Sequence, residues 1–219
     1  MRTAVVLSHR AVAHELGPLG DWLSARGFAI ERIHREDEPD LPTGADLLVV
    51  LGSPGSVAAG FCRPAGTREV DQVRAWVEAD HHYLGICYGS QALALAVGGS
   101  VERMRSTDRG WMTLASEEAE HDVFVGPWMV WHEDALTAPA HARVRARSGN
   151  ADQVFSHRRA WGIQFHPELD SAALERMAIA LGAAPGDYGP LVTAMRNDEA
   201  GHRQRAMHLF DAFWADVSA

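Results

Sequence analysis

Residues 83–97 read YLGICYGSQALALAV, and this stretch decides the fold class. It opens with a short apolar run that suits a buried strand and closes with a helix-forming run. Between the two, Gly85 and Gly89 flank Cys87 at equal distance. Glycine is needed in such a turn because neighbouring backbone leaves no space for a side chain, or because φ is positive. The pattern predicts a nucleophile elbow, in which a reactive side chain stands on a strained turn between strand and helix.

The chain around this turn alternates strand and helix signals. Apolar runs that suit buried strands lie at 4–7, 28–33, 46–51 and 83–86. Helical signals lie between or after them, at 14–26, 67–80 and 90–97. Strands separated by helices pair in parallel, because parallel neighbours need a crossover connection. We therefore predict an α/β protein with an open, mostly parallel central sheet flanked by helices.

Strand signals in the second half are shorter and lie closer together. They fall at 111–114, 123–125, 142–147, 152–156 and 161–165. This texture predicts a mixed or antiparallel extension, so residues 1–219 are predicted to form one domain. Closing helices are predicted at 172–181 and 199–217, and a loop or linker at 183–197. Apolar side chains at helical spacing predict that the last helix packs on the core: Met207, Phe210, Phe213 and Trp214.

Composition argues against several classes of protein. The chain has 47% hydrophobic and 22% charged residues, which is ordinary for a globular protein. No apolar run approaches the roughly 20 residues that span a bilayer. The N-terminus is interrupted by charge too early for a secretory signal, and two cysteines are too few for a disulfide framework. We therefore predict a cytoplasmic protein with no membrane partner.

Charge and histidine patterns predict no further class of ligand. A net charge of −9 argues against a nucleic-acid surface, since such surfaces neutralise phosphates. Alternating arginines are predicted to share one solvated strand face: Arg143, Arg145 and Arg147. His81 and His82 have no third ligand at metal spacing, so we predict no metal site and no other cofactor. Cys62 is predicted to be a partly buried free thiol.

Residues 161–168, WGIQFHPE, supply a candidate base for Cys87. A cysteine nucleophile needs a base, and the base needs an orienting group. An apolar strand ends at His166, and Glu168 lies two residues on, on the same side of an extended segment. Pro167 keeps His166 extended. The spacing predicts that Glu168 accepts a hydrogen bond from one imidazole nitrogen while the other nitrogen faces the thiol.

The two segments GICYGSQ at 85–91 and GIQFHPE at 162–168 together resemble the paired signature of class I glutamine amidotransferases. The order of elements and the glycine-rich turn after the third strand extend the likeness over most of the chain, and it is weakest after residue 170. The Cys-Tyr-Gly form is most similar to the amidotransferase domain of GMP synthetase and its free-standing relatives. The resemblance implies the flavodoxin-like fold of that family.

The resemblance also implies catalytic roles for the matched residues. Cys87 attacks the carboxamide of glutamine and forms a glutamyl thioester, which water then hydrolyses. His166 protonates the departing ammonia, and Glu168 supports His166. These three residues form the implied catalytic triad.

An oxyanion hole built from backbone groups is implied by the same likeness. One donor is the N–H of Tyr88, and the other comes from the turn that contains Gly52 and Ser53. Ser53 stands where the family usually has a second glycine. Because a backbone donor needs no particular side chain, the turn is still predicted to contribute.

Three residues are implied to bind substrate. Gln91 matches a family position that helps to hold glutamine, although an ordinary helix residue is an equal alternative. Gly110 and Trp111 resemble a pair that frames the glutamine pocket, with Arg109 in place of the usual acidic residue. The segment Trp131–Asp134 resembles a family segment close to the active site, and a polar loop is the alternative.

The predicted function is therefore hydrolysis of the side-chain amide of L-glutamine. The predicted elements leave no room for an ATP-dependent synthetase, so a separate synthase or synthetase subunit is predicted to accept the ammonia. Two alternatives stay open. One is a γ-glutamyl hydrolase or peptidase that uses the same triad on a larger γ-glutamyl compound, and the other is a non-catalytic regulatory subunit of the same fold.

Overall fold

A computed structural model of the chain describes residues 2–12, 15–117, 122–149 and 151–219. The strands are β1 (Arg2–Ser8), β2 (Phe28–His34), β3 (Leu47–Val50), β4 (His82–Ile86), β5 (Ser100–Met112), β6 (Ala115–Ser116), β7 (Trp128–Thr137), β8 (Arg143–Arg147), β9 (Asp152–His157) and β10 (Ala160–Ile163). The α-helices are α1 (Gly17–Ala25), α2 (Pro64–Glu78), α3 (Tyr88–Ala96), α4 (Ser171–Ala180), α5 (Pro185–Asn197) and α6 (Glu199–Val217). Short 3-10 helices span Arg35–Asp37 and Asp122–Phe124.

The central sheet has eight strands in the order β2-β1-β3-β4-β10-β9-β8-β6. Its first five strands pair in parallel, and β9, β8 and β6 extend it antiparallel. Strands β5 and β7 form a separate antiparallel pair. The predicted parallel sheet with a mixed extension is therefore confirmed.

Alternate residues of the buried strands pack on opposite faces of the sheet, as the period of a strand requires. On β1, Ala4 and Val6 join the apolar cluster that includes residues of α1 and α6. Val5 and Leu7 join the cluster that includes residues of α2 and α3. Helices thus cover both faces, which explains the continuous apolar runs of β1 and β3.

The predicted stripe on the last helix packs as expected. Phe210 and Phe213 are fully buried, while Met207 and Trp214 are partly buried against the same cluster. Among the described residues, no helix is both long enough and apolar enough to cross a membrane.

The predicted loop at 183–197 is wrong, because helix α5 occupies most of it. Two glycines and an internal proline, Pro190, weaken the helical signal of this segment. The helix nevertheless buries Val192 and Met195 at helical spacing, in a cluster with Met129 and Leu174. Burial in this third cluster outweighs the poor local propensity.

Two strand predictions in the second half also need correction. Strand β5 covers 100–112 and includes only the first two residues of the run predicted at 111–114, and its charged, largely exposed residues give no alternating signal. Residues 123–125 are not a strand, since the 3-10 helix Asp122–Phe124 lies there.

The alternating arginines of β8 do not share a solvated face. The register of β8 against β9 shifts on either side of Ala146, which breaks the strict alternation. Arg145 is buried, with its guanidinium carbon 4.5 Å from the centroid of the Trp161 ring and its Nη2 2.6 Å from Asp216 Oδ2. An aromatic ring and a carboxylate thus compensate the burial of this charge.

Candidate active site

Cys87 occupies the turn between β4 and α3 in a backbone conformation that few residues adopt. Its φ is +53° and its ψ is −108°, which is strained for a residue with a side chain. The backbone N–H of Cys87 donates to Ile163 O at 2.8 Å, which ties the turn to β10. Strain of this kind is a recognised feature of functional turns, and the predicted elbow is present.

The two flanking glycines are required by close backbone approach. A Cβ added to Gly85 would lie 2.4 Å from Gly89 O, and one added to Gly89 would lie 2.0 Å from Val50 O. Both distances are far inside van der Waals contact. The glycines therefore allow the start of α3 to press against β3 and β4, which holds Cys87 at the end of the sheet.

The first backbone N–H group of helix α3, that of Tyr88, differs from the N–H groups that follow it. The N–H groups of Ser90 and Gln91 both bond to Cys87 O, at 3.0 and 3.1 Å. Tyr88 is the first residue of α3, so its N–H has no acceptor within the helix. A helix N-terminus of this kind favours negative charge nearby.

His166 and Glu168 lie just beyond β10 and form a buried pair. His166 Nδ1 lies 2.8 Å from Glu168 Oε1, and both residues are 3% exposed. The backbone N–H of His166 donates to Met129 O at 2.9 Å, so β7 fixes this segment. Because the carboxylate accepts the Nδ1 proton, Nε2 is the nitrogen left for proton exchange, and it has no hydrogen bond of standard geometry within the described chain.

The surroundings of His166 favour the charged imidazole. Burial disfavours the imidazolium, but the carboxylate of Glu168 and the nearby thiol of Cys87 outweigh it and raise the pKa of His166 well above its usual value. The site therefore favours the protonated form of His166.

Gly52 lies close to both Cys87 and His166. A Cβ placed on Gly52 would lie 3.5 Å from His166 Cε1 and 3.8 Å from Cys87 Cβ, so the turn after β3 contacts both residues. One small cavity is lined by Gly52, Ser53, Cys87, His166 and Glu168, with four further residues. All five of these predicted site residues are thus brought together.

A second cavity is also lined by Cys87 and has a volume of about 120 Å³. It is lined by Ser53, Pro54, Gly55, Cys87, Gln91, Arg103, Trp131, His132, Glu133, Asp134 and Leu181. Gln91 is buried here, and its Nε2 donates to Asp134 O at 3.4 Å and Gln164 Oε1 at 3.3 Å. Gln91 therefore lines the same cavity as Cys87, and its predicted part in holding the substrate stays a prediction.

Gly110 and Trp111 line neither cavity. They lie on β5, opposite Val130 and Met129 of β7. The Trp111 ring packs edge-on to His202 at 5.9 Å between centroids. Their predicted contact with substrate stays a prediction.

The segment Trp131–Asp134 is part of β7 rather than a loop, and it borders the site as the resemblance implied. The thiol of Cys87 lies 3.9 Å from Trp131 O. Buried His132 faces the same cavity, and burial lowers the pKa of His132 to about 4. Sequence reasoning did not single out Arg103 or Leu181, whose positions in β5 and after α4 carry no motif.

The fold and the site together define a class of protein. An open α/β sheet carries a cysteine at the carboxyl end of a central strand, with a histidine and a carboxylate arranged as in a cysteine-type catalytic triad. This geometry suits covalent acyl transfer through a thioester.

Comparison with known proteins identifies the family. The model of the class I glutamine amidotransferase family matches residues 11–182. The chain therefore belongs to the class I glutamine amidotransferase family.

Relatives of known name agree with this assignment. The glutamine-hydrolysing GMP synthase of Symbiobacterium thermophilum is 36% identical over 125 residues, which cover 52% of this chain and 24% of that protein. Component 2 of the pyocyanine-specific anthranilate synthase of Pseudomonas aeruginosa is 32% identical over 157 residues, covering 63% of this chain and 72% of that protein. The chain thus spans about a quarter of the length of the GMP synthases that it matches.

Solved structures show the same fold. A glutamine amidotransferase from Thermotoga maritima superposes with a TM-score of 0.84 at 21% identity and covers 97% of both chains. One from Methylobacillus flagellatus gives a TM-score of 0.81 at 18% identity, over 99% of this chain and 94% of that chain. At these identities the likeness supports the fold.

Proposed function

We propose that this protein hydrolyses the side-chain amide of L-glutamine and supplies the ammonia to an acceptor on a separate partner enzyme. The observation that carries the proposal is the strained Cys87 turn beside a buried His166 that is paired with Glu168 at 2.8 Å. Membership of the class I glutamine amidotransferase family supports glutamine as the substrate.

The proposed reaction has two chemical steps. The Cys87 thiol gives its proton to Nε2 of His166, and the sulfur attacks the carboxamide carbon. His166 then gives that proton to the leaving nitrogen, so that the C–N bond breaks, ammonia departs and a glutamyl thioester remains. His166 then takes a proton from water, whose oxygen attacks the thioester carbon, and returns the proton to the sulfur as glutamate leaves. Glu168 keeps the imidazole in the required tautomer and stabilises its charge.

Backbone groups are proposed to stabilise the tetrahedral intermediates. The N–H of Tyr88 lies at the start of α3, and the turn with Gly52 and Ser53 contacts both Cys87 and His166. Donors in such positions act where negative charge develops on the carbonyl oxygen.

The cavity beside Cys87 favours a small, doubly charged substrate. Its volume of about 120 Å³ is below the roughly 300–1,000 Å³ of sites for drug-sized ligands. Charged groups of both signs line it, since Arg103 pairs with both Glu133 and Asp134. A free amino acid carries an ammonium and a carboxylate, so this lining suits glutamine better than a large γ-glutamyl compound.

The partner is proposed from the relatives. One relative is named as component 2 of an anthranilate synthase, a name that implies a further component of that enzyme. An acceptor for the ammonia is therefore proposed to lie on another polypeptide, and the predicted single domain of residues 1–219 stays a prediction.

The direct test is release of glutamate and ammonia from L-glutamine by the wild-type protein and by Cys87→Ala. Turnover should be lost in Cys87→Ala, because no other group supplies the nucleophile, while circular dichroism stays unchanged. Cys62→Ala is the matched control, since this other cysteine lines neither cavity beside Cys87 and its loss should leave turnover near the wild-type rate. A wild-type protein that releases no more ammonia than Cys87→Ala would contradict the proposal.

A further inference from the structure

Arg35 is a nearly buried arginine that lies behind the proposed oxyanion site rather than in it. It is the first residue after β2, and its side chain is 11% exposed. Its Nε and Nη2 donate to the two carboxylate oxygens of Glu69 on α2, at 3.2 and 3.0 Å. Glu69 is itself only 8% exposed at its side chain, so the pair is shielded from water.

The rest of the guanidinium faces the turn after β3. Nη1 donates to Gly52 O at 2.9 Å and Nη2 donates to Leu51 O at 3.1 Å. The guanidinium carbon also lies 4.6 Å from the centroid of the Tyr88 ring. Arg35 therefore contacts both segments that are proposed to supply oxyanion donors.

The peptide geometry gives these contacts a direction. In a trans peptide the C=O and the following N–H point to opposite sides of the chain. With the carbonyls of Leu51 and Gly52 held by Arg35, the N–H groups of Gly52 and Ser53 are turned away from the guanidinium. Gly52 lies against Cys87 and His166, and Ser53 lines both cavities beside the thiol.

A purely structural role explains this arrangement poorly. Replacing a buried ion pair by apolar side chains is often neutral or stabilising, because both charges lose their hydration. Here four hydrogen bonds tie the guanidinium to Glu69 of α2 and to the turn after β3, and a ring contact ties it to Tyr88. A planar guanidinium does this in a way that the single ammonium of a lysine does not.

We propose that Arg35 is a positioning residue for the oxyanion hole, and that Glu69 fixes its guanidinium. It holds the carbonyls of Leu51 and Gly52 so that the backbone donors of the turn point toward the reacting carbonyl at Cys87. This inference rests on the proposed function, because an oxyanion hole matters only where a carbonyl is attacked.

The test compares Arg35→Met with Arg145→Met. Arg145 is a matched control, because it is also buried, stacks on an aromatic ring and pairs with a carboxylate, but lines neither cavity beside Cys87. Arg35→Met should lower kcat on glutamine about 10- to 100-fold with KM within about threefold, since slight misplacement of transition-state donors costs rate rather than ground-state binding. Arg145→Met should lower the melting temperature but keep kcat within about twofold of the wild type.

Alkylation of Cys87 by iodoacetamide tests the reactivity of the thiol independently of the oxyanion hole. This displacement has no oxyanion, so its rate at Cys87, followed by peptide mass spectrometry, should stay within about threefold in Arg35→Met. Arg35→Lys keeps the positive charge and serves as the second variant if Arg35→Met does not fold. It should also lower kcat while leaving the alkylation rate unchanged, because a lysine cannot reproduce the four hydrogen bonds.

Three outcomes would overturn the inference. One is an unchanged kcat in Arg35→Met and Arg35→Lys, and another is an alkylation rate that falls in parallel with kcat. The third is a wild-type protein that releases no ammonia from glutamine, which rejects the proposed function and the inference with it. A normal wild-type rate with an unaltered Arg35→Met rejects the inference alone.

Discussion

Two buried histidines lie beside the same cysteine in opposite electrostatic settings. His166 and His132 are 3% and 4% exposed, and each lines a cavity that contains Cys87. His166 has a carboxylate 2.8 Å from Nδ1, whereas Nδ1 of His132 faces the backbone carbonyl of Asp134 at 3.1 Å. The carboxylate facing Nε2 of His132, that of Asp108, is 4.0 Å away.

The difference shows that the hydrogen-bonded partner, rather than burial, sets the charge. Burial pushes both rings toward the neutral form. Glu168 and Cys87 overcome it and raise the pKa of His166 well above its usual value, while the pKa of His132 falls to about 4. One site thus holds a charged and a neutral imidazole, and the proton transfers of the proposed reaction fall to His166.

Removing each ring in turn is the strongest test of this comparison. His166→Ala should lower kcat for glutamine about 10²–10⁴-fold, which is the usual contribution of general acid–base catalysis. His132→Ala should cost less than about tenfold, because Nδ1 of this ring faces the backbone carbonyl of Asp134 and the ring takes no part in the proposed proton transfers. Ammonia release at saturating glutamine measures both, and equal losses in the two variants would reject the assignment of the proton transfers to His166.

The same electrostatics predict how stability depends on pH. His202 is 1% exposed, and burial lowers the pKa of His202 to about 4, as it does for His132. Between pH 6.5 and 4 these two histidines are protonated in the unfolded chain but stay neutral in the folded protein. The free energy of unfolding therefore falls as the pH falls through this window. Each ring should cost about 3 kcal/mol by pH 4, because each pH unit between the unfolded and folded pKa values contributes roughly 1.4 kcal/mol and the folded ring is itself half protonated at the lower end.

The contribution of His166 to stability depends on pH in the opposite direction. Because its folded pKa is raised, its contribution to stability is fully present below pH 6.5 and is lost as the pH rises through the raised value.

Urea denaturation at pH 7 and pH 4.5 measures the loss of stability at acid pH, which should be smaller in His202→Gln. His208→Gln removes an exposed histidine from the same helix as a control. A loss of stability at acid pH that is equally large in the wild type and in His202→Gln would contradict the buried, neutral state of His202.

Local patterns in the sequence were sufficient for the first half of the fold and for the nucleophile. The strands β1, β3 and β4 are largely buried, so they appear as continuous apolar runs, and the glycines around Cys87 reflect a backbone clash that any side chain would create. The pairing of His166 with Glu168 was also predictable, because two residues in an extended segment share a side. These features depend on spacing within a few residues.

Features that depend on distant contacts were not predictable. Helix α5 forms despite its glycines and proline because Val192 and Met195 find a cluster built from other elements. Arg145 is buried because it stacks on the ring of Trp161 and pairs with the carboxylate of Asp216. Nothing in the sequence around Arg35 indicates that its side chain donates to Gly52 O. The opposite states of His132 and His166 likewise follow from partners that folding supplies.

The smallest expected effect isolates the charge of Glu168 from its hydrogen bond. Glu168→Gln keeps an oxygen that can accept the Nδ1 proton, but it removes the charge that raises the pKa of His166. The loss in kcat should be about tenfold, below that of His166→Ala, because the ring stays oriented. Since an imidazolium of lower pKa loses its proton sooner, the alkaline limb of kcat/KM should move to lower pH, and Glu168→Ala, which also loses orientation, should be slower still. A Glu168→Gln protein as inactive as Cys87→Ala would mean that the carboxylate does more than orient and stabilise the ring.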